Sequence, residues 1–476
     1  MAKNIVGRLL EIKILENALR SSEAELIAIT GRRRIGKTFL TTSVYQEQIV
    51  FEMIGTQNGT LEIQLSNFTE QLIQFSNSPF PINSPQNWTE AFSLLRKYLQ
   101  NLSVQDKKVL FFDELPWLSG HKSGFLDAFG YFWNSWASRQ NLIIVICGSA
   151  ASWMIQKVVN DKGGLHNRIS KHIHLEPFTL AETKVFLESR DVFYDYYQIL
   201  QLYMVTGGVP HYLKDVDGSK SVIQNIDSLC FSKTGVLYDE FNRLYYSLFT
   251  NADNHLALIR TLITKKQGMS RNEIAKTDKL DDGGGLTKLL EELIWSGFVT
   301  EIYPFGKKKK DKIYRLTDEY SLFYLQFMES NRQPGTNIWQ NLSQSATYKA
   351  WSGYAYESIC IKHIERIKQA LSIAGIYSSV SSSYSQGNEQ NEGVQIDMLL
   401  DRNDHTINLF EIKFYNQAYT LDKESANKLR EKQWRFQSIS KTKKHTNGVI
   451  ISTFGLQKNQ YSTGLISNSL TMEDLF

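Results

Sequence analysis

Gly31-Arg32-Arg33-Arg34-Ile35-Gly36-Lys37-Thr38 follows the apolar stretch Leu26-Ile27-Ala28-Ile29 and opens a helical sequence at Lys37. This is GxxxxGK[ST] set between a strand and a helix, the context in which that spacing has a physical meaning. Glycines let successive backbone N–H groups turn inward around phosphate oxygens, and the helix amino terminus adds the positive end of its dipole. The pattern predicts a triphosphate site on Gly31, Ile35, Gly36, Lys37, Thr38 and Phe39. Lys37 reaches the β- and γ-phosphates there, and the Thr38 hydroxyl ligates Mg²⁺.

A site of this kind needs acidic groups at the end of a neighbouring buried strand. Val109-Leu110-Phe111-Phe112-Asp113-Glu114 supplies them. Asp113 is expected to hold Mg²⁺ through water, and Glu114 to polarise the attacking water as general base. A third apolar stretch runs from Leu142 to Cys147, and helical sequence such as Thr89 to Asn101 separates the strands. Short apolar strands alternating with helices predict an α/β fold with a parallel sheet covered on both faces.

Composition bounds the rest. The chain has 476 residues, enough for three or four compact units at about 150 residues each. Its 53 Lys and Arg against 49 Asp and Glu leave +4, too little to make the whole molecule a binder of polyanions or membrane surfaces. The longest apolar run, Leu142 to Cys147, is far short of the roughly 20 residues that span a bilayer, so no membrane segment is expected. Met1-Ala2-Lys3-Asn4 leads into polar sequence with no secretory pattern. Cys147, Cys230 and Cys360 are far apart, which excludes a disulfide framework and a thiolate zinc cluster. A reducing cytoplasm is the expected location.

Five segments are expected: a nucleotide-binding core over 1–179, a helical segment over 180–253, a small unit over 254–318, a helix and linker over 319–345 near Pro334 and Gly335, and a second α/β unit over 346–476. The helical segment must break at Thr206-Gly207-Gly208-Val209-Pro210. The small unit reads as three helices and a hairpin tipped by Phe305-Gly306-Lys307-Lys308-Lys309-Lys310, the order of a winged helix. Residues 255–316 hold 13 Lys and Arg against 8 Asp and Glu, more than the chain's whole positive excess. Such a wing either neutralises DNA phosphates or serves as an intramolecular lid, and Glu291 and Glu292 on the third helix would repel phosphate. Residues 378–393, rich in Ser, Asn, Gln and Glu, read as an exposed loop.

The first 250 or so residues resemble the archaeal-type ATPases, a branch of the AAA+ and STAND-like P-loop proteins. The resemblance implies ATP as the nucleotide. It sets Gly7-Arg8, followed by Glu11 and Leu15, beside the adenine, and Ser149 against the γ-phosphate or the water. Arg168 stands where relatives carry an arginine after a glycine, although Asn167 replaces that glycine here. Gly207-Gly208-Val209-Pro210-His211-Tyr212 resembles the lid motif whose proline, here Pro210, closes on base and ribose. Were Arg168 to act in trans, the active form would be a homo-oligomer.

Gly393 to Asp401 and Thr406 to Phe414 read as a hairpin centred near position 404, which sets Asp397 opposite Glu411. Val394, Ile396, Met398 and Leu400, with Phe410, Ile412 and Phe414, form the expected core face, leaving Gln395, Asp397, Glu411 and Lys413 on the other. Opposed carboxylates repel unless a cation lies between them or one is protonated. Asp397 with Glu411-Ile412-Lys413 has the D…ExK spacing of the PD-(D/E)xK nucleases, and the last ~125 residues resemble that restriction-endonuclease-like fold. Ile396 stands where the family has proline, and Glu357 matches its extra acidic residue. The resemblance implies Mg²⁺ or Mn²⁺ on Asp397, Glu411 and Glu357, with Lys413 orienting the nucleophile. Two readings follow: an ATP-dependent enzyme acting on DNA, or a nucleotide-regulated signalling or scaffolding ATPase whose nuclease-like fold binds a partner.

Overall fold

The apolar stretch before the glycine loop is a strand, β1 (Glu25–Thr30), in which all six residues are buried. It sits next to the edge of a five-stranded parallel sheet with β2 (Ile49–Ile54), β3 (Lys108–Asp113), β4 (Leu142–Gly148) and β5 (Lys171–His174), in the order β2-β3-β4-β1-β5. The computed structural model describes residues 5–77, 82–102, 106–120, 122–160, 163–165, 167–278, 283–331, 335, 337–385 and 394–476. The amino-terminal residues Met1 to Asn4, the linker proline Pro334, the residues 386–393 of the expected loop and Gly393 at the expected hairpin start lie outside them. The chain forms two compact units, divided between Glu176 and Pro177.

In the first unit, strand alternation splits the core in two. Leu26, Ala28, Leu110, Phe112, Ile144 and Ile146 pack with Trp88, Phe92, Phe125 and Phe129 on one face. Ile27, Ile29, Val109, Phe111, Ile143 and Val145 pack with Leu15 and Leu40 on the other. Both faces are dry, which is why the strands read as continuous apolar runs rather than as alternating ones. The register aligns Thr30 with Gly148, Phe112 with Ile146, and Ile54 with Asp113. The carboxyl ends of β1, β3 and β4 therefore finish on one edge of the sheet.

The second unit begins with helices Leu180–Glu188 and Tyr196–Thr206. The expected break is present: Gly207 and Gly208 have φ of 59° and 68°, and a Cβ on Gly208 would lie 2.1 Å from the Phe178 carbonyl oxygen. Only glycine fits there. The helix restarts at Pro210, whose missing N–H costs nothing in a first turn. Further on, helices Ala252–Ile263, Arg271–Asp278 and Gly284–Trp295 combine with β6 (Met269–Ser270), β7 (Val299–Ile302) and β8 (Ile313–Leu316) in an antiparallel sheet ordered β6-β8-β7. Glu292 does not face a ligand on that third helix. It accepts from the buried His255, Nε2 to Oε2 2.8 Å, while Glu291 makes no such contact among the described residues.

Helix Ala346–Lys362 leads into a mixed sheet of β9 (Ser378–Ser385), β10 (Val394–Arg402), β11 (Thr406–Lys413), β13 (His445–Ser452) and β15 (Asn468–Leu470), in the order β15-β13-β11-β10-β9. Short strands β12 (Tyr419–Thr420) and β14 (Leu456–Gln457) pair beside it, and helix Lys423–Ser440 packs against β10. Residues 378–385 are thus an edge strand rather than an exposed loop. The β10–β11 ladder pairs Met398 with Phe410 and Leu400 with Asn408, the register expected for a hairpin centred at 404. One expectation fails: a bulge in β10 between Ile396 and Leu399 shifts the pairing with β9 by one residue. Ile396 thereby joins Leu399, Ile407, Leu409 and Phe436, while Met398 and Leu400 face the main core.

That main core runs through the whole second unit, joining Phe178, Tyr203, Phe241, Tyr320, Trp351, Tyr356 and Phe410. His363 ties its ends. The Leu180 N–H donates to Nε2 at 3.0 Å, so Nδ1 carries the proton and donates to the Ile359 carbonyl at 2.8 Å. Burial lowers the His363 pKa to about 4. The unfolded imidazole, near pH 6.5, binds protons more readily than the folded one, so this contribution is present above pH 6.5 and is lost as pH falls toward 4. Its ceiling is about 3 kcal/mol. In His363→Gln, whose amide can serve both partners, urea unfolding between pH 7 and 4.5 should lose that part of the pH dependence; identical slopes in both proteins would contradict the assignment.

Candidate functional site

The loop after β1 has the backbone its glycines permit. Gly31 and Gly36 have φ of 138° and 93°, and Arg34 is left-handed at 74°. A Cβ on Gly31 would lie 2.3 Å from the Leu175 carbonyl oxygen and 2.6 Å from Ile35 Cδ1. Gly36 caps helix Lys37–Val44. Ile35 is buried in the core below the loop, and Phe39 is exposed. Arg8 is buried, with a guanidinium nitrogen 3.4 Å from the Ile35 carbonyl oxygen, which brings the residue expected beside the adenine onto the loop itself.

The Lys37 ammonium lies 2.9 Å from the carbonyl oxygens of Gly31 and Arg32 and 3.1 Å from Ser149 Oγ. Burial pulls its pKa below the usual lysine range, against the raising effect of Glu114 and Asp113. Ser149, after β4, also serves Glu114: its hydroxyl donates to Oε1 at 2.6 Å and its N–H to Oε2 at 3.1 Å. Glu114 can sit there because its backbone turns left-handed, φ 48°, directly after β3. Asp113 accepts from the Thr38 hydroxyl and, at 2.9 Å, from the Glu114 N–H. Burial pushes its carboxyl up, which the Thr38 hydrogen bond opposes. A hydroxyl and a carboxylate side by side are the hard oxygen donors that Mg²⁺ takes. Four expected site residues, Lys37, Thr38, Asp113 and Glu114, and the expected sensor Ser149, thus form one connected network.

Arg168 is exposed on the loop before β5, and Pro210 belongs to the second unit, where it is half-buried. Two histidines that the sequence reading passed over stand beside the loop. His172 Nε2 and His174 Nδ1 lie 2.9 and 3.0 Å from Thr30 Oγ1, and both are held below the usual histidine range by burial. The alternation His172-Ile173-His174 was the available signal: period two puts both imidazoles on one side of an edge strand.

In the second unit the D…ExK residues also converge. Asp397 Oδ2 accepts from the Ile412 N–H at 2.8 Å. Burial and then the Glu411 charge raise its pKa to about 6. Glu411 is bridged by Lys413, 2.7 Å, and by Lys432 from helix Lys423–Ser440, 2.8 Å. Burial would raise Glu411, but these two ammonium groups hold it below the usual carboxylate range. Burial alone would lower Lys413, and its pairing with Glu411 holds it above the usual lysine range. Glu357 reaches about 7 through burial and the Asp397 charge, opposed by Arg315, whose guanidinium lies 3.4 Å away. Among the described residues no three His, Cys, Asp or Glu side chains come together as a metal cluster. The opposed carboxylates are met by lysines, and Lys432 is the participant that spacing could not reveal.

A family model for the ATPase domain predominantly from Archaea matches residues 5–216. Residues 5–216 are therefore similar to the archaeal-type ATPase domain. An uncharacterized protein of Methanocaldococcus jannaschii is 22% identical over 420 residues, covering 86% of this chain and 87% of that protein. Among solved structures, the Walker-type ATPase of Pyrococcus abyssi aligns at TM-score 0.49 and 17% identity, over 67% of this chain and 95% of that one. The Aeropyrum pernix ORC2 protein in its ADPNP and ADP complexes aligns at 0.44 and 14% identity, over 72% and 98%. No helix among the described residues is long and apolar enough to cross a membrane.

Replacing Gly31 by Ala tests the loop. With a Cβ driven into the Leu175 carbonyl and φ at 138°, the variant should be less stable by about 2–4 kcal/mol, melt at a lower temperature, and bind ATP at least about tenfold more weakly. Wild-type melting and ATP titration curves for this variant would refute the geometry.

Proposed function

We propose that this protein binds ATP with Mg²⁺ on its first unit and hydrolyses it to govern work on DNA by its second. The observation that supports the ATP half is the network Lys37–Ser149–Glu114, joined at the strand ends to Thr38–Asp113. Glu114 takes the proton of the attacking water, and Ser149 holds its carboxylate in place through two hydrogen bonds. Lys37 stabilises the charge that gathers on the γ-phosphoryl oxygens as the bond to ADP breaks. Thr38 and Asp113 would hold the magnesium ion, which supplies further charge neutralisation. Lys37→Ala should weaken ATP binding at least about 100-fold, whereas Glu114→Gln should bind ATP within about threefold of wild type and lose about 100-fold or more of kcat. A Glu114→Gln protein that hydrolyses at the wild-type rate would remove Glu114 as base.

For the second unit we read the three helices and the β6-β8-β7 sheet as a winged helix, and the carboxyl-terminal sheet as a PD-(D/E)xK nuclease-like domain. Asp397 and Glu411 would hold a divalent ion, Mg²⁺ or Mn²⁺, which would lower the pKa of a bound water, with Lys413 beside it to steady the attacked phosphate. Glu357, paired to Arg315, acts on Asp397 through its charge. The double lysine bridge on Glu411 favours a second reading as well, a degenerate fold that binds a partner without cutting. Calorimetric titration of Mn²⁺ into the Glu114→Gln protein and into Glu114→Gln/Asp397→Asn separates them. The nuclease reading predicts one binding event lost with Asp397, together with magnesium-dependent cleavage in the parent; identical titrations favour the second.

A further inference from the structure

The carboxylates Asp397 and Glu411 do not stand on an open surface. They line a cavity of about 1120 Å³ whose walls come from separate parts of the second unit. Beside β10 and β11, the lining includes Tyr197 from helix Tyr196–Thr206, Lys266 from the loop before β6, Arg315 from β8, and Tyr348 and Lys349 from helix Ala346–Lys362. These elements share one core, so the walls are fixed to the floor. Tyr197 itself stacks on Phe414 of the floor, centroids 5.6 Å apart at 17°.

The lining is cationic. Lys266, Lys349, Lys413, Lys432 and Arg315 face Glu357, Asp397 and Glu411. The inner cations are engaged: Lys413 and Lys432 hold Glu411, and Arg315 is buried against Tyr354, 3.1 Å from its hydroxyl, and Glu357. Lys266 and Lys349 are exposed, and Lys266 reaches the Ala350 carbonyl at 3.4 Å and lies over the Tyr354 ring at 5.9 Å. Tyr415 completes the set. It is 45% exposed and stacks on Tyr419 at 5.4 Å and 14°, presenting a flat ring at the cavity.

Exposed ammonium groups next to an exposed ring suit a ligand that offers phosphates and unpaired bases together. A paired duplex keeps its bases stacked on one another and offers no free base face to Tyr415, whereas a single strand does. We propose that the cavity takes a few nucleotides of single-stranded nucleic acid, with the backbone on Lys266 and Lys349 and a base on Tyr415. This rests on the reading of the second unit as acting on nucleic acid and names its substrate class.

The test measures fluorescence anisotropy of a dye-labelled 12-residue oligothymidylate, and of a blunt 12-base-pair duplex, with the full chain in EDTA and without nucleotide. The single strand should bind at least tenfold more tightly than the duplex. Lys266→Gln/Lys349→Gln should lose tenfold or more of that affinity, and Tyr415→Ala about fivefold. All three positions are exposed, and matching melting temperatures check that the variants are folded. Equal or tighter duplex binding, no single-strand binding, or folded variants with wild-type affinity would each overturn the inference. Because no divalent ion is present, failure to cleave in a separate magnesium assay would count against the nuclease reading alone, and a single-strand preference would survive it.

Discussion

A buried ammonium is the constraint around which the first unit is arranged. Lys37 heads a helix whose amino end already concentrates positive charge, and removing it from water is costly unless oxygen acceptors surround it. The sheet delivers those acceptors. Because β1, β3 and β4 are parallel and in register, their carboxyl ends bring the Gly31 carbonyl, the Asp113–Glu114 pair and Ser149 to one edge. Crossing connections are what make such a sheet possible, and both of its faces must then be apolar. The same packing that gives the strands their continuous apolar sequence therefore fixes the geometry of the proposed phosphate site.

The second unit is organised differently, by a single core shared among segments that sequence reading separates. Arg315 illustrates the consequence. It lies on β8 of the small antiparallel sheet, yet its guanidinium is buried on helix Ala346–Lys362, over the Tyr354 ring at 4.2 Å and 3.1 Å from Ser358 Oγ. In the turn between β7 and β8, Phe305 packs on Phe436 of helix Lys423–Ser440, centroids 5.2 Å apart. The β7–β8 turn is thereby joined to the sheet that carries Asp397 and Glu411. The basic turn over 307–310 therefore begins beside an intramolecular attachment.

Much of this was legible in the sequence, and the parts that were not share a physical cause. GxxxxGK[ST] and the strand ending in Asp113-Glu114 are local patterns, and local patterns carry their geometry with them. The hairpin register was readable because alternation and a short turn leave one symmetric pairing. Ser378–Ser385 escaped notice since an edge strand of serines has no apolar period to betray it, and the His172–His174 strand was too short and polar. The bulge that turns Ile396 to the opposite face leaves no compositional mark. Lys432 and His255 answer carboxylates far away in sequence, and such partners are set by tertiary packing alone.

In the proposed function, the Lys37 network receives the triphosphate and is held ready for it by the sheet. A crystal structure of the full chain with Mg²⁺ and a non-hydrolysable ATP analogue tests it most directly. The γ-phosphate should lie within hydrogen-bond distance of Lys37 Nζ and the metal ion against Thr38 and near Asp113, with Lys37 drawn off the Gly31 and Arg32 carbonyls. Nucleotide bound elsewhere, or Lys37 still seated on those carbonyls beside a bound triphosphate, would contradict it.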